Sequence, residues 1–418
     1  VTGSGVLTDL LAPQAIADPH AVYRALREQG PVTWLPEHRA WFVATYDEVH
    51  AGFRDLRLSS DRLTPMERRL PPAAAEALGP TLALLRGWMV FHDPPHHERL
   101  RAPLRRAFTP RTVDALRPHV LEIVEAHLDE MAARLHDGET VDLIEHLAFP
   151  LPAIVIAELL GVPTSDRDEF KHWSNQLAAI VFGTSDRGAK VTEAAAGSAR
   201  FAAYFTELIE HYRLHPAENL ITALLAAGAE ADPPLDPVEL VGACTLLLFG
   251  GHETTTNLIG NAVLALLEHP DQVDRLRADP TLLDHAVEEL HRFDGSSKVM
   301  VRIVAEDHVR AGVEMTAGQT VFLGIASANR DPAAFDEPDR LDLARPDAHR
   351  HLGFGYGLHF CLGAPLARLE TRIALGRLVE RIPHLQLAVD ADDLVWGATI
   401  LGRGVRTLPV TAVRRPHR

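Results

Sequence analysis

The sequence predicts a mainly α-helical protein with a minor β region, folded as a single domain over residues 1–418. Three observations lead there. Apolar residues recur at three- and four-residue steps along most of the chain, the period of an amphipathic helix. Strand-like runs are short and fall mainly in 31–60, 299–325 and 384–412. No repeat and no low-complexity linker divides the chain, which outweighs the length prior of about 150 residues per domain.

Asp18 and Pro19 open the first helix, which carries Tyr23, Leu26 and Arg27 and stops at Gly30-Pro31. Val32–Leu35 and Ala40–Tyr46 read as strands joined by a polar turn. From 67 to 87 the chain is rich in Pro and Ala without firm periodicity, which predicts a mobile connection with a short helix. Helices follow over Pro95–Phe108, Thr112–Leu135, Leu147–Leu160, Thr164–Phe182, Lys190–Tyr212, Asp236–Glu268 and Leu282–Phe293. Strands fit Val299–Val304 and Thr320–Leu323, and the Pro-, Asp- and Arg-rich stretch Asn329–Leu352 reads as an irregular but ordered meander. A last long helix is expected over Cys361–Ile382, with short strands closing the chain.

Hydrophobic residues make up 46% and charged residues 23%, so the chain has ample apolar surface to bury and is not disordered. Lys and Arg number 41 against 57 Asp and Glu, a net charge of −16 that disfavours nucleic acid as a partner. Cys244 and Cys361 are the two cysteines, too few for a disulfide framework, which points to a reducing, cytoplasmic setting. The longest apolar stretch, Leu147–Leu160, is broken by Pro150, Pro152 and Glu158 and falls short of the ~20 residues of a membrane span. No membrane association and a monomeric state are expected.

The most informative segment is Phe354-Gly355-Tyr356-Gly357-Leu358-His359-Phe360-Cys361-Leu362-Gly363. Glycines before the cysteine permit a tight turn and close approach of backbone to a flat ligand. Placed at a helix start, the Cys361 sulfur would meet backbone N–H groups and a positive helix end, which favour a thiolate. Such a thiolate is a good axial ligand for haem iron, and Gly363 would let the helix lie against a macrocycle. Cys244, in an apolar helix without a glycine loop, reads as a small core residue.

At these residues the sequence resembles the cytochrome P450 family, whose haem loop reads Phe-Gly-x-Gly-x-His-x-Cys-x-Gly; every fixed position is present. The similarity is strongest to soluble bacterial members and covers essentially the whole chain. It implies haem b lying between a long oxygen-binding helix and the helix after the cysteine loop. Phe354, His359, Cys361 and Gly363 would then be haem contacts, with Cys361 the metal ligand. Three further motifs occur in order. Gly250-Gly251-His252-Glu253-Thr254 matches Gly-x-Glu/Asp-Thr, which implies that Gly250 and Gly251 line an oxygen groove, Glu253 relays protons and Thr254 donates its hydroxyl toward dioxygen. His252, without metal-ligand spacing, reads as structural.

Asp93-Pro94-Pro95-His96-His97-Glu98-Arg99-Leu100-Arg101 puts His97 and Arg101 one helical turn apart. The resemblance makes them propionate ligands, with His359 and Arg302 completing the clamp. Glu289-Leu290-His291-Arg292 matches Glu-x-x-Arg and, with Arg345, implies a buried triad holding the cysteine loop. Close relatives tend to have Asp-Gly-Pro-Val-Gln where this chain has Asp294-Gly295-Ser296-Ser297-Lys298, so the local path is open. Lys298 is read as meeting a polar substrate group such as a carboxylate, or else as facing solvent or a propionate. The substrate pocket is expected from 60–90, 170–190, 246–254, 296–301 and 396–402, with Trp88, Phe182, Leu247 and Ile400 as apolar contacts.

Arg99, Arg101, Arg105 and Arg106, with Arg350 and Arg368, concentrate positive charge near the cysteine loop. This is read as a docking face for an acidic ferredoxin, supplied in turn by ferredoxin reductase, or as a plain solvated face. The function implied is a haem-thiolate monooxygenase. It would use O2 and two external electrons to hydroxylate or otherwise oxidise a largely apolar small molecule, in secondary or catabolic metabolism. The alternatives are coupling, epoxidation or desaturation by the same centre, a peroxide-driven peroxygenase, which would not need Thr254, and a non-catalytic haem binder.

Overall fold

The computed structural model describes residues 9–412 except 164–165, 167–168, 170–171, 175, 178–180 and 182–187. Helix α1 (Pro19–Gln29) starts at Asp18, whose carboxylate accepts from the N–H of Ala21, and ends at Gly30, whose φ of 148° suits glycine. It covers a mixed sheet of five strands. In sheet order these are β1 (Val32–Leu35), β2 (Ala40–Val43), β5 (Thr320–Leu323), β4 (Met300–Val304) and β3 (Leu58–Ser59). Only β2 and β5 run parallel, pairing Phe42 with Phe322. Tyr23 of α1 stacks on Phe42 at 5.7 Å and so joins helix to sheet.

The helical part is α2 (Pro72–Arg86), α3 (His96–Ala107), α4 (Arg117–His136), α5 (Pro150–Leu160), α6 (Gly188–Leu214), α7 (Pro237–Glu268), α8 (Leu283–Asp294) and α9 (Ala364–Arg381). Asp236 and Glu239 form a reciprocal capping box that starts α7, with Pro237 in its first turn. Along its 32 residues α7 buries side chains on nearly every face. That is the signature of a helix running through a core, and α5, α6, α8 and α9 all pack on it. Among the described residues, no helix is long and apolar enough to cross a membrane.

Several boundaries differ from expectation. The segment 67–87 is not a mobile connection: helix Leu63–Arg69 is followed by α2, which packs Leu78, Leu82, Leu84 and Leu85 inward and lies along α6. Pro72 sits in the first turn, where no N–H is needed, the interior Pro80 is carried within the helix, and its alanines are the best helix formers. The apolar partner comes from a helix more than 100 residues later, which local periodicity does not reveal. The second expected strand ends at Val43 because Tyr46 already belongs to a helix (Tyr46–Gly52). The helix expected over 112–135 is split at Leu116 into Pro110–Ala115 and α4. The last helix begins at Ala364, three residues after Cys361. The helix expected over 164–182 lies largely outside the described residues.

Candidate active site

The cysteine loop is a tight hairpin. The N–H of Cys361 donates to the carbonyl of Phe354 at 2.9 Å. Gly355 and Gly357 take φ values of 70° and 71°, where any side chain would be strained. Cys361 Sγ lies 3.9 Å from the point where a Cβ on Gly363 would sit, so the sulfur opens toward α9 over bare backbone. Its exposed surface faces an internal cavity. Burial raises the thiol pKa, while the N–H groups of Gly363 and Ala364 and the charge of Arg101 pull it back toward thiolate.

The hairpin is held from behind. Glu289 is fully buried and accepts from Arg292 Nε at 2.6 Å, Arg292 Nη2 at 2.9 Å and Arg345 Nε at 3.1 Å. Arg292 also donates to the carbonyl of Asn329, whose side-chain oxygen accepts from the N–H of Leu352 just before the loop. Arg345 donates to the carbonyls of Asp336, Glu337 and Arg340. The three side chains expected to meet thus do meet, and they bind the meander to α8.

Across the cavity runs the middle of α7. Gly250, Gly251 and Thr254 all line it, and Thr254 Oγ1 donates to the carbonyl of Gly250 at 2.9 Å. The two glycines have different reasons. A Cβ on Gly250 would meet nothing, so its hydrogen leaves open space on the cavity side. A Cβ on Gly251 would come 2.9 Å from Ile156 Cγ1, so that glycine also lets α5 approach. His252 is turned into the core, its Nδ1 beside the Leu248 carbonyl at 2.8 Å. Glu253 is half-buried just behind the wall, and burial pushes its pKa up from 4.5 to about 7.

That shift makes a testable sign. Between pH 4.5 and 7 the folded chain holds more protons at Glu253 than the unfolded chain, so this residue's contribution to stability falls as pH rises. Glu253→Gln should flatten that fall. The denaturant midpoint of Glu253→Gln relative to the wild type should be higher at pH 8 than at pH 5.

One end of the cavity collects cationic and protonatable groups from four elements. Arg302 on β4 is buried and spends one N–H on the Val301 carbonyl. Arg101 on α3 donates to the Phe360 carbonyl at 2.6 Å. The rings of His97 and His359 lie 4.1 Å apart. Both nitrogens of His97 are buried and, among the described residues, without a hydrogen-bond partner. His359 Nε2 lies 3.0 Å from Ser60 Oγ, and burial with Arg302 nearby drives its pKa well down. Arg62, over the Phe91 ring at 4.7 Å, adds a charge that the sequence did not flag. The carboxylate that Arg302 senses, Asp93, is engaged by Ser59 and by the Ser60 N–H. A rim of cationic side chains around an unpartnered imidazole, a bare-backbone sulfur on one wall and a glycine gap on the other fit a flat group bearing carboxylates.

The sequence pattern of the Cytochrome P450 family matches residues 81–387. The chain belongs to the cytochrome P450 family. It is 43% identical to the vitamin D(3) 25-hydroxylase of Pseudonocardia autotrophica over 408 residues, covering 96% of each chain. It is 42% identical to the cytochrome P450 monooxygenase PikC of Streptomyces venezuelae over 415 residues, 98% of this chain and 95% of that one. A myxobacterial cytochrome P450 solved with myristic acid superposes with a TM-score of 0.88 at 39% identity, covering 98% of this chain and all of the other. The protein is therefore a P450 monooxygenase, an enzyme whose haem carries a cysteine thiolate ligand.

The P450 cavity, about 300 Å³, is otherwise walled by Phe53, Met89, Val90, Phe108, Ile156, Leu246, Leu247, Leu258, Met300 and Leu366. Leu247 stands where expected. Trp88 does not: it is 1% exposed in the core, and its neighbours Met89 and Val90 face the cavity instead. Ile400 packs on the α1–sheet cluster, and residues 396–402 contribute nothing to the described wall. Phe182 lies outside the described residues.

Lys298 corrects all three expected settings. It is 2% exposed and ion-paired to Asp294, which also meets Arg403 at 3.4 Å and His20 at 3.2 Å. It faces neither solvent nor the cavity, because the buried carboxylate behind it offers a stronger partner. Ser296 and Ser297 line the cavity in its place, and Ser297 bridges to Gly402.

The expected basic face is largely neutralised. Arg99 pairs with Glu239, Arg106 with Glu230 at 3.2 Å, and Arg368 holds Glu288 with two bonds of 2.6 and 2.8 Å. Arg350 stands 3.8 Å from Asp347, and Arg101 faces the cavity. Counting basic residues along one helix overlooks acids brought by others. Two titratable cavity residues went unread: Glu370 on α9, buried with neither oxygen partnered among the described residues, and His291 on α8. A lone acid among Leu366, Leu369 and Ala374 was the available signal for Glu370.

Proposed function

We propose that Cys361 would supply the thiolate that holds haem b and that the enzyme oxidises a largely apolar secondary metabolite, with electrons passed from ferredoxin reductase through a ferredoxin. The observation that carries this is the placement of Cys361 Sγ on the floor of an apolar cavity, opposite the Gly250–Thr254 gap, with the cationic rim at its edge. When bound, haem supplies dioxygen activation and the oxidising power for a C–H bond. His97, Arg101, Arg302, His359 and Arg62 would hold its propionates by charge-assisted hydrogen bonds. Phe354 and Gly363 shape the face on the sulfur side. Glu289, Arg292 and Arg345 keep the hairpin rigid. Gly250 and Gly251 leave room for a diatomic ligand, Thr254 Oγ1 presents a hydroxyl that can leave its bond to the Gly250 carbonyl, and Glu253, poised near neutral pH, passes protons toward it. Leu246, Leu247, Met89, Val90, Phe108 and Met300 exclude water and orient the substrate by shape.

Names of relatives support the substrate class: a vitamin D(3) hydroxylase, a P450 solved with myristic acid and one bound to tirandamycin C are all similar to this chain. The test is turnover with a ferredoxin, its reductase and isotope-labelled dioxygen over a panel of apolar secondary metabolites. Label should appear in product and depend on both electron carriers. Product formed equally well with peroxide and no carriers would overturn the oxygen-dependent reading.

A further inference from the structure

The segment just before α3 reaches the cavity in an unusual way. At Gly87 the chain crosses α7 with backbone against backbone. A Cβ on Gly87 would come 2.8 Å from Gly242 Cα and 2.7 Å from the Val238 carbonyl. Glycines at both positions allow this approach, and a side chain at either would drive the two apart. One residue on, Trp88 docks on the same helix. Its Nε1–H donates to Thr245 Oγ1 at 3.0 Å. Its ring sits 5.0 Å from Phe249 and 6.1 Å from Phe91. The Thr245 hydroxyl hydrogen is directed to the Val241 and Gly242 carbonyls, at 2.9 and 3.0 Å, so its oxygen is set to accept. Gly242, Thr245 and Phe249 form one stripe of α7, at three- and four-residue spacing. The cavity stripe, Leu246, Leu247 and Gly250, is its neighbour. Met89 and Val90, the residues this docking places over the cavity, have no polar side chain of their own with which to hold position.

We propose that Trp88, through Thr245 and the Gly87–Gly242 contact, is a positioning residue that fixes Met89 and Val90 as a rigid wall of the substrate cavity and so selects ligands by size. This rests on the reading of the cavity as the haem and substrate site. An indole has a single donor, and a buried one is worth placing only where an acceptor is fixed. Here the acceptor belongs to the same helix that carries Gly250 and Thr254. The distance from Met89 to the reacting region is therefore set by one rigid element and not by a free loop.

The experiment uses purified holoenzyme and two iron-binding probes of unequal size, imidazole and 4-phenylimidazole, with dissociation constants from optical titration. The readout is the ratio of the two constants. Thr245→Val and Trp88→Phe, which remove the acceptor and the donor, should each change the ratio by about fivefold, the effect of one hydrogen bond of ordinary strength. Thr245→Ser, which keeps the hydroxyl, should hold the wild-type ratio. A merely structural role would move stability without moving the ratio. An unchanged ratio in both Thr245→Val and Trp88→Phe overturns the proposal, as does an equal change in Thr245→Ser. Failure of the underlying site reading shows separately, since wild-type protein would then give no thiolate-type carbon monoxide spectrum.

Discussion

Replacing Cys361 by alanine should abolish the red-shifted Soret band of the dithionite-reduced, carbon monoxide-bound protein and lower monooxygenase turnover by at least about a thousandfold, roughly 4 kcal/mol of transition-state stabilisation. The expectation follows from the surroundings of the sulfur. Gly363 and Ala364 direct N–H groups at it, Arg101 adds charge, and the loop spends two left-handed glycines to bring it there. The rest of the site does not depend on the sulfur. His97, Arg101 and Arg302 come from other elements, and the bonds of Arg101, Arg302 and His359 do not involve the sulfur. The variant should therefore fold and retain some haem with an altered spectrum. Cys244 is the internal control: it is fully buried in α7, burial pushes its thiol up to about 12, and Cys244→Ala should leave the carbon monoxide band in place. A Cys361→Ala protein with the wild-type band would remove the assignment.

Glu289→Gln should have the largest effect on stability, about 3–5 kcal/mol, because it leaves Arg292 and Arg345 buried without their counter-charge. That is a large part of the ~5–15 kcal/mol available to a folded domain. The two guanidiniums would keep their bonds to the carbonyls of Asn329, Pro338, Asp336 and Glu337, but none of these is charged. Loss should also spread to the cysteine loop through Asn329 and Leu352, so haem content at expression should drop along with the denaturant midpoint. Asp284→Asn gives the contrast. Asp284 pairs with Arg372 from an exposed position, and its loss should cost no more than about 0.5 kcal/mol. Equal midpoints for Glu289→Gln and Asp284→Asn would refute the buried-pair account.

The residues that announced the family are contiguous. Phe354 to Gly363, Gly250 to Thr254, Asp93 to Arg101 and Glu289 to Arg292 each act within one turn or one helical face, where covalent spacing already sets who can meet whom. The start of the long helix at Asp236 and the stop at Gly30 were legible for the same reason. Helix α2 was not, because its apolar face is completed by α6. Trp88 and Ile400 were misplaced because an aromatic or aliphatic side chain near a cavity can turn either way, and only the neighbouring backbone decides. Arg62 sits in an irregular stretch with no period to mark it.

By itself, then, the chain's order of residues determined the cysteine loop, the glycine gap, the Glu-x-x-Arg pair and the helical class. Tertiary structure alone decided which charges stay available. It tied Lys298 to Asp294, Arg99 to Glu239 and Arg368 to Glu288, and, among the described residues, left His97 without a hydrogen-bond partner and Arg101 and Arg302 bonded only to carbonyls. The physical reason is one of range. Helix caps, turns and i to i+4 pairs are settled by bonds along the backbone, whereas a charge is neutralised by whatever carboxylate packing brings within a few ångströms, however far away it lies in the chain.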